Sequence, residues 1–295
     1  MRILLQFPEG LKRAALGEAQ ALEKKGNEVF VSASACYGAC DLPLDEAKTL
    51  GADKIIHYGH ADFGLATKIP VEYREFRVKV DVTKALEAAL PKLKGHKAIA
   101  LATTVQHIGQ IGEMRAFLER ARKRVLIGKP TGHAKYPGQV LGCDWSAVRM
   151  VEPDADCVLF FGSGRFHPAG IATELPVLLV SPEGEAAWFD AKAWERTRRG
   201  ALAAAAAAQT FGILVSTKAG QFNLRVAQQI RKKLEAAGKS ALILVAGELC
   251  PEALTDFNLF DVYVNTACPR LADDWERFGK PIINAPELAV LLGNK

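Results

Sequence analysis

The sequence predicts an α/β fold: three similar α/β domains, each a small, mostly parallel four-stranded sheet flanked by helices, arranged around a pseudo-threefold axis. Three observations carry this expectation. Short, continuous apolar runs, the form taken by strands buried on both faces, alternate with stretches of helical periodicity. The same order of elements recurs three times along the chain. An acidic residue stands just before the third strand of each repeat, at Asp53, Asp156 and Asp261, spaced 103 and 105 residues apart. A near-constant period of this kind marks a repeated architecture. The expected domains are residues 1–95 with Cys40, 96–205 with Cys143, and 206–295 with Cys268.

Taken in order, Ile3 to Phe7 is an apolar strand broken by Pro8-Glu9-Gly10. Residues Leu11 to Lys25 place Leu11, Ala15, Leu16, Ala19 and Leu22 on one helical face, with Gly26 as the stop. Strands follow at Glu28–Ser32 and Lys54–Tyr58, separated by a helix at Leu44–Leu50 capped by Gly51, and Val71–Val80 supplies the fourth strand with its approach. The second repeat has strands at Ala98–Ala102, Val125–Ile127, Cys157–Phe161 and Val177–Val180, with a helix from about Gly109 to Arg122. An alanine-rich run, Ala201 to Ala208, favours helix strongly and leads into the third repeat. That repeat has strands at Phe211–Val215, Ala241–Val245, Asp261–Val264 and Ile282–Asn284, and a helix at Asn223–Ala237.

Composition narrows the function. About half the residues are apolar (49%) and 24% are charged, as in ordinary globular proteins with filled cores. No apolar run reaches the length of roughly 18 residues that a membrane span needs, and the N-terminus lacks a signal-peptide pattern. The expected location is therefore the cytoplasm, with no membrane association, and there the six cysteines stay reduced. The net charge of +5 is spread out, and no basic run is interleaved with aromatics, so direct nucleic-acid binding is not expected.

Ligands of parallel α/β sheets bind outside the carboxyl ends of the strands. Cys40 in Tyr37-Gly38-Ala39-Cys40-Asp41, Cys143 in Gly142-Cys143-Asp144 and Cys268 in Ala267-Cys268-Pro269-Arg270 all fall on such outgoing loops, one per repeat. Three soft thiolates suit an iron–sulfur cluster or zinc, and three ligands on a four-iron cluster leave one iron open to substrate. The plain alternative is packing, because cysteine is among the most buried residues. Cys157 reads as a core residue within its strand, Cys36 as a competitor of Cys40, and Cys250 as the rival of Cys268. Two further loops suit a small anionic or zwitterionic ligand. Gly162-Ser163-Gly164-Arg165-Phe166-His167 offers backbone N–H groups, and Ser216-Thr217-Lys218-Ala219-Gly220-Gln221 opens a helix and adds a cation. His107, after the first strand of the second repeat, is a further candidate on the same side.

Tyr37-Gly38-Ala39-Cys40-Asp41, Gly138-Gln139-Val140-Leu141-Gly142-Cys143 and Asn265-Thr266-Ala267-Cys268-Pro269-Arg270-Leu271, in this order, resemble the archaeal diphthamide-biosynthesis enzymes, the 2-(3-amino-3-carboxypropyl)histidine synthases. The two loops of the previous paragraph resemble further motifs of that family. The resemblance implies a homodimer of three-domain chains, with Cys40, Cys143 and Cys268 holding a [4Fe–4S] cluster. It implies that the reduced cluster, fed by an electron donor, cleaves S-adenosylmethionine between sulfur and the γ-carbon of its methionine part. The resulting 3-amino-3-carboxypropyl radical is added to a histidine of translation elongation factor 2, a transferase reaction that opens diphthamide synthesis. Gly162, Ser163, Gly164, His167, Ser216, Thr217, Lys218, Gly220, Gln221 and His107 would then bind S-adenosylmethionine. Two other readings compete with it. One is a [4Fe–4S] dehydratase or condensing enzyme of the quinolinate synthase type, and the other is a non-catalytic, metal-stabilised scaffold that binds a protein partner.

Overall fold

Three sheets with one strand order organise the computed structural model, which describes residues 1–257 and 259–292, and residue 193 by its backbone alone. Residues 258 and 293–295 of the expected third domain lie outside this description. The first sheet contains β1 (Arg2–Gln6), β2 (Glu28–Val31), β3 (Lys54–Gly59) and β4 (Val71–Glu75), all parallel, in the order β2-β1-β3-β4. The second contains β5 (Ala98–Thr103), β6 (Arg124–Leu126), β7 (Cys157–Phe161), β8 (Val177–Val180) and β9 (Ala186–Trp188), in the order β6-β5-β7-β8-β9. The third contains β10 (Thr210–Ser216), β11 (Ser240–Ala246), β12 (Val262–Asn265) and β13 (Ile282–Asn284), in the order β11-β10-β12-β13.

The helices are α1 (Ala15–Glu23), α2 (Leu44–Leu50), α3 (Val82–Glu87), α4 (Ile111–Arg120), α5 (Ser146–Val151), α6 (Ala191–Ala207), α7 (Leu224–Ala236), α8 (Pro251–Leu254), α9 (Trp275–Phe278) and α10 (Ala285–Leu291). They cover both faces of the sheets. Leu86, Met114 and Leu118 pack one face of the second sheet with Ile99, Leu159 and Phe161, and Val148 packs the other with Ala100 and Phe160. Two compact units result, Met1–Phe189 with the first two sheets and Asp190–Lys295 with the third. The alanine-rich helix α6 belongs to the latter, where Ala201 and Ala205 pack against Phe211, Ile213 and Val264. Alanine's small side chain lets this helix lie close to the sheet while favouring helical backbone.

The acidic residue before each third strand has the same structural task in all three repeats. Asp53 accepts a hydrogen bond from the Arg2 backbone N–H at 2.7 Å. Asp156 accepts from the N–H groups of Lys97 and Ala98 at 2.7 and 3.1 Å, and Asp261 from those of Gln209 and Thr210 at 2.9 Å. Each carboxylate thus satisfies backbone donors at the start of the first strand and pins it to the third.

Differences from the expected elements are local and have physical causes. Val71–Val80 forms a strand only to Glu75, because the residues beyond it have no neighbouring strand to pair with. The helices following β1 and β5 open in 3₁₀ form, at Glu9–Ala14 and Ile108–Gln110, before becoming α-helical. The second sheet has a fifth strand: β9 pairs antiparallel to β8 through Leu178↔Trp188, Leu179↔Ala187 and Val180↔Ala186. The tight turn before it uses Gly184 at φ 91°, a conformation glycine adopts without penalty.

Candidate metal centre

The repeated strand order puts a switch point in every sheet, between the first and third strands, where neighbouring connections diverge and ligands characteristically bind. The three cysteines leave the sheets on this carboxyl side. Cys40 follows β2 and Cys143 follows β6, the second strand of each repeat, whereas Cys268 follows β12, the third strand of the last repeat. Cys40 and Cys268 are half-buried and Cys143 is exposed. Their rivals differ in setting. Cys157 lies wholly inside the second sheet's core, where burial pushes its thiol up to about 12. Cys36 is buried, and burial likewise pushes it up to about 12. Cys250 follows β11 and starts α8, with Pro251 at the first helical position.

A short polar side chain holds each candidate loop. After Cys40, buried Asp41 folds back so that its carboxylate accepts from Tyr37 N–H at 3.4 Å, while its carbonyl accepts from Gln6 Nε2 at 2.6 Å. After Cys143, buried Asp144 accepts from the backbone N–H of Ala134 at 2.7 Å and of Ser146 at 2.9 Å. Burial alone would raise the Asp144 carboxyl, but these hydrogen bonds outweigh it and hold the group below its ordinary range. Before Cys268, Asn265 donates through Nδ2 to the Cys268 carbonyl at 2.8 Å and accepts from Ala267 N–H at 3.0 Å. Thr266 ties the same segment to the first strand by donating to Leu214 O at 2.7 Å. Pro269 then starts a 3₁₀ turn, Pro269–Asp274, where its fixed φ suits the entry.

Glycines allow neighbouring backbone to approach the Cys143 loop closely. A Cβ on Gly170, in the turn after β7, would lie 2.5 Å from the carbonyl oxygen of Gly142, beside Cys143. A Cβ on Gly132 would lie 2.6 Å from the Asp144 carboxylate, and one on Gly128 2.0 Å from the Ala147 carbonyl. The Cys143 loop is therefore sterically fixed from several sides.

The residues read as ligand-binding are placed as follows. Gly162, Ser163, Gly164 and His167 leave the end of β7. Gly162 is buried, where a Cβ would lie 3.0 Å from the Phe160 ring, Ser163 and Gly164 are exposed, and the His167 ring lies 6.3 Å from that of Phe160. Ser216 ends β10, buried, and donates to Gly247 O at 3.2 Å; Thr217 is exposed, and Gly220 and Gln221 are half-buried ahead of α7. Lys218 Nζ lies 2.6 Å from a Glu248 carboxylate oxygen, so part of the cation offered by this loop is already matched by an acid from the loop after β11. His107 is buried edge-on to Phe161 with ring centroids 5.2 Å apart, and its Nδ1 has no hydrogen-bond partner. Burial lowers its pKa.

Sequence reasoning missed the residues that hold the cysteine loops: Gln6, Asp41, Asp144 and Asn265. The Cys-Asp dipeptide at 40–41 and again at 143–144 was the available signal. The roles of His57 and His60 were missed as well. His57 is fully buried on β3, with Nδ1 2.7 Å from Gln6 Oε1 and Nε2 3.0 Å from His60 Nδ1.

Fold and site together define a protein of three repeated, mostly parallel α/β sheets with cysteine-bearing loops at their carboxyl ends. Residues 7–295 match the family model for diphthamide synthesis proteins. The chain is 38% identical over 298 residues to the 2-(3-amino-3-carboxypropyl)histidine synthase of Pyrococcus horikoshii, covering 99% of this chain and 86% of that protein. It is 32% identical over 309 residues to subunit 1 of the synthase of that name from Saccharomyces cerevisiae, covering 99% of this chain and 71% of the yeast subunit. The crystal structure of Dph2 from Pyrococcus horikoshii with a 4Fe-4S cluster matches with a TM-score of 0.92 at 37% identity, and a further Dph2 structure from that organism with 0.93 at 36%. Each match covers 100% of this chain and 86% of the crystallised one. The chain belongs to the diphthamide synthesis protein family.

Proposed function

We propose that this protein transfers the 3-amino-3-carboxypropyl group of S-adenosylmethionine to a histidine of translation elongation factor 2. In this reading Cys40, Cys143 and Cys268 hold a [4Fe–4S] cluster. The observation that carries it is the construction of their loops. Each cysteine lies at the carboxyl side of a parallel sheet, and a short polar side chain fastens the backbone beside it: Asp41, Asp144 or Asn265. Buried Cys157 lies within a strand, where a cluster does not fit. The relatives' shared name and the cluster-bound Dph2 structure support the same assignment.

When bound and reduced, such a cluster supplies the electron that breaks the bond between sulfur and the γ-carbon. The protein's contribution is positioning. Rigid cysteine loops fix the cluster, and the loop glycines Gly162 and Gly164 let a substrate approach backbone N–H groups. Ser163, His167, His107, Ser216, Thr217, Lys218, Gly220 and Gln221 are assigned to the amino-carboxylate and nucleoside parts of S-adenosylmethionine. A homodimer in the cytoplasm, supplied by a one-electron donor, completes the proposal.

Anaerobic incubation with dithionite, S-adenosylmethionine and elongation factor 2 tests it. Methylthioadenosine, together with a mass gain on one histidine of the factor, is the expected outcome. Formation of 5′-deoxyadenosine, or turnover of an iminoaspartate-type substrate in place of S-adenosylmethionine, would refute it.

A further inference from the structure

A second set of metal-ligating atoms lies under the Cys40 loop, apart from the three cysteines assigned above. Cys36, His57 and His60 each offer one ligand atom, and these atoms lie within 4.8 Å of one another. They come from two segments. Cys36 belongs to the loop leaving β2, His57 to β3, and His60 to the turn that leaves β3. Cys36 is 6% exposed and His57 wholly buried. The cluster sits at the carboxyl end of the first sheet, where β1 and β3 are neighbours and the strand order reverses.

Hydrogen bonding fixes which atom of His57 is available. Gln6 donates through Nε2 to Asp41 O at 2.6 Å, so its Oε1 is the atom facing His57 Nδ1, at 2.7 Å. His57 therefore carries its proton on Nδ1 and presents the lone pair of Nε2. That lone pair accepts from His60 Nδ1–H at 3.0 Å, and a bound cation would take the place of this proton, which shifts to His60 Nε2. An imidazole that donates one N–H to an amide oxygen and offers the other nitrogen is the arrangement by which an outer-shell residue orients a metal ligand. An N···N separation of this size also approaches the edge of about 3.3 Å that two nitrogens span on a tetrahedral ion with bonds of about 2.0 Å. The Tyr73 ring, edge-on to His57 at 5.6 Å, closes the other side. Burial lowers His57 to about 3 and lowers His60 too, which keeps both rings in the neutral form a metal requires.

We propose that Cys36, His57 and His60 form a binding site for a divalent cation of the zinc class, which fastens the Cys40 loop to β3. One thiolate and two imidazole nitrogens are a borderline-soft set suited to zinc, with the fourth position left to water. Binding releases the Cys36 thiol proton, and the cation compensates the thiolate left in a buried place. Gln6 is a positioning residue. It connects the site to the Cys40 loop through Asp41, so metal binding and loop order are mechanically linked. This inference does not rest on the proposed transferase reaction, since the zinc and iron sites share no ligand.

The test uses cluster-loaded holoprotein dialysed against micromolar zinc. X-ray absorption at the zinc edge is blind to iron, so the cluster does not interfere. The expected result is one zinc per chain with a shell of one sulfur at about 2.3 Å and two nitrogens at about 2.0 Å. Cys36→Ser and His60→Ala should lose the zinc while keeping the iron, and Gln6→Leu should weaken zinc binding by about 10- to 100-fold. Cys157→Ser should leave it unchanged. A shell of several sulfurs would place zinc on the three loop cysteines and overturn the proposal. So would a holoprotein that retains no zinc, or zinc content unmoved by both Cys36→Ser and His60→Ala. Should a variant fail to fold, the wild-type absorption shell decides alone.

Discussion

Arg122 stands at φ 61°, in the left-handed region, between α4 and β6. The corresponding joints of the other repeats, between α1 and β2 and between α7 and β11, use Gly26 at φ 80° and Gly238 at φ 73°. The backbone demand is thus common to the three repeats, and two meet it with the residue that adopts it most readily. Replacing Arg122 by Gly should relieve left-handed strain of about 1 kcal/mol against a smaller entropic loss, leaving a net gain of roughly 0.5 kcal/mol in urea unfolding. Gly238→Ala should cost about 1 kcal/mol, although nothing lies within 4 Å of the added methyl. A stabilising Gly238→Ala would contradict the shared-joint account. Asp156 illustrates how one side chain governs a pH response. Burial would raise its carboxyl, but the N–H groups of Lys97 and Ala98 hold it below its ordinary range. Because its folded pKa lies below the unfolded value, its stabilisation is present above about pH 4 and is lost as pH falls further. Urea midpoints of the cluster-free chain should therefore drop less below pH 4 in Asp156→Asn than in wild type, with a cost of about 1 kcal/mol at pH 7. Parallel acid profiles would remove this role.

At the scale of elements, the cysteine loops are held from below by side chains and from the side by glycines. Gly170 is the informative case, because a Cβ there would meet the Gly142 carbonyl oxygen at 2.5 Å and the Gly142 Cα at 3.3 Å. Neither group is a flexible side-chain end, so the loop bearing Cys143 must shift. Gly170→Ala should lower iron content several-fold after anaerobic reconstitution while the far-ultraviolet circular dichroism stays unchanged. Full iron loading in this variant would show that the Cys143 loop tolerates displacement. Strand positions were the most legible part of the sequence. Ala98–Thr103, Cys157–Phe161 and Val177–Val180 are continuous apolar or β-branched runs, as strands buried on both faces are. β9 was not legible because its three residues, Ala186, Ala187 and Trp188, are too few to show a period and pair only along one edge. The 3₁₀ openings before α1 and α4 share the periodicity of the helices they precede, so sequence merges the two forms.

For the whole molecule, the repeat was visible through its acids before its sheets were. Asp53, Asp156 and Asp261 kept their spacing because each closes the same pair of strands, and that geometry allows little drift. The candidate site was legible only where chemistry and sequence neighbours coincide, as in Cys40-Asp41 and Cys143-Asp144. His57 was not legible as a site because Gln6, 51 residues away, meets it only through the β1–β3 pairing, and His60, three residues on, gave no signal by itself. Likewise, Lys218 reads as an available cation in sequence, whereas Glu248, 30 residues on, lies against it in the fold. Nor does loop order alone select the third cysteine. Cys250 follows the second strand of its repeat, as Cys40 and Cys143 do, while Cys268 follows the third. The proposal of Cys268 rests on its Asn265 and Thr266 anchoring and on the resemblance of Asn265-Thr266-Ala267-Cys268-Pro269-Arg270-Leu271 noted in the sequence.

Iron content across six single Cys→Ala variants, each reconstituted anaerobically, tests that choice and the central claim together. Loss of iron in Cys40→Ala, Cys143→Ala and Cys268→Ala, with iron retained in Cys36→Ala, Cys157→Ala and Cys250→Ala, is the result expected. Full iron in Cys268→Ala alongside its loss in Cys250→Ala would contradict it.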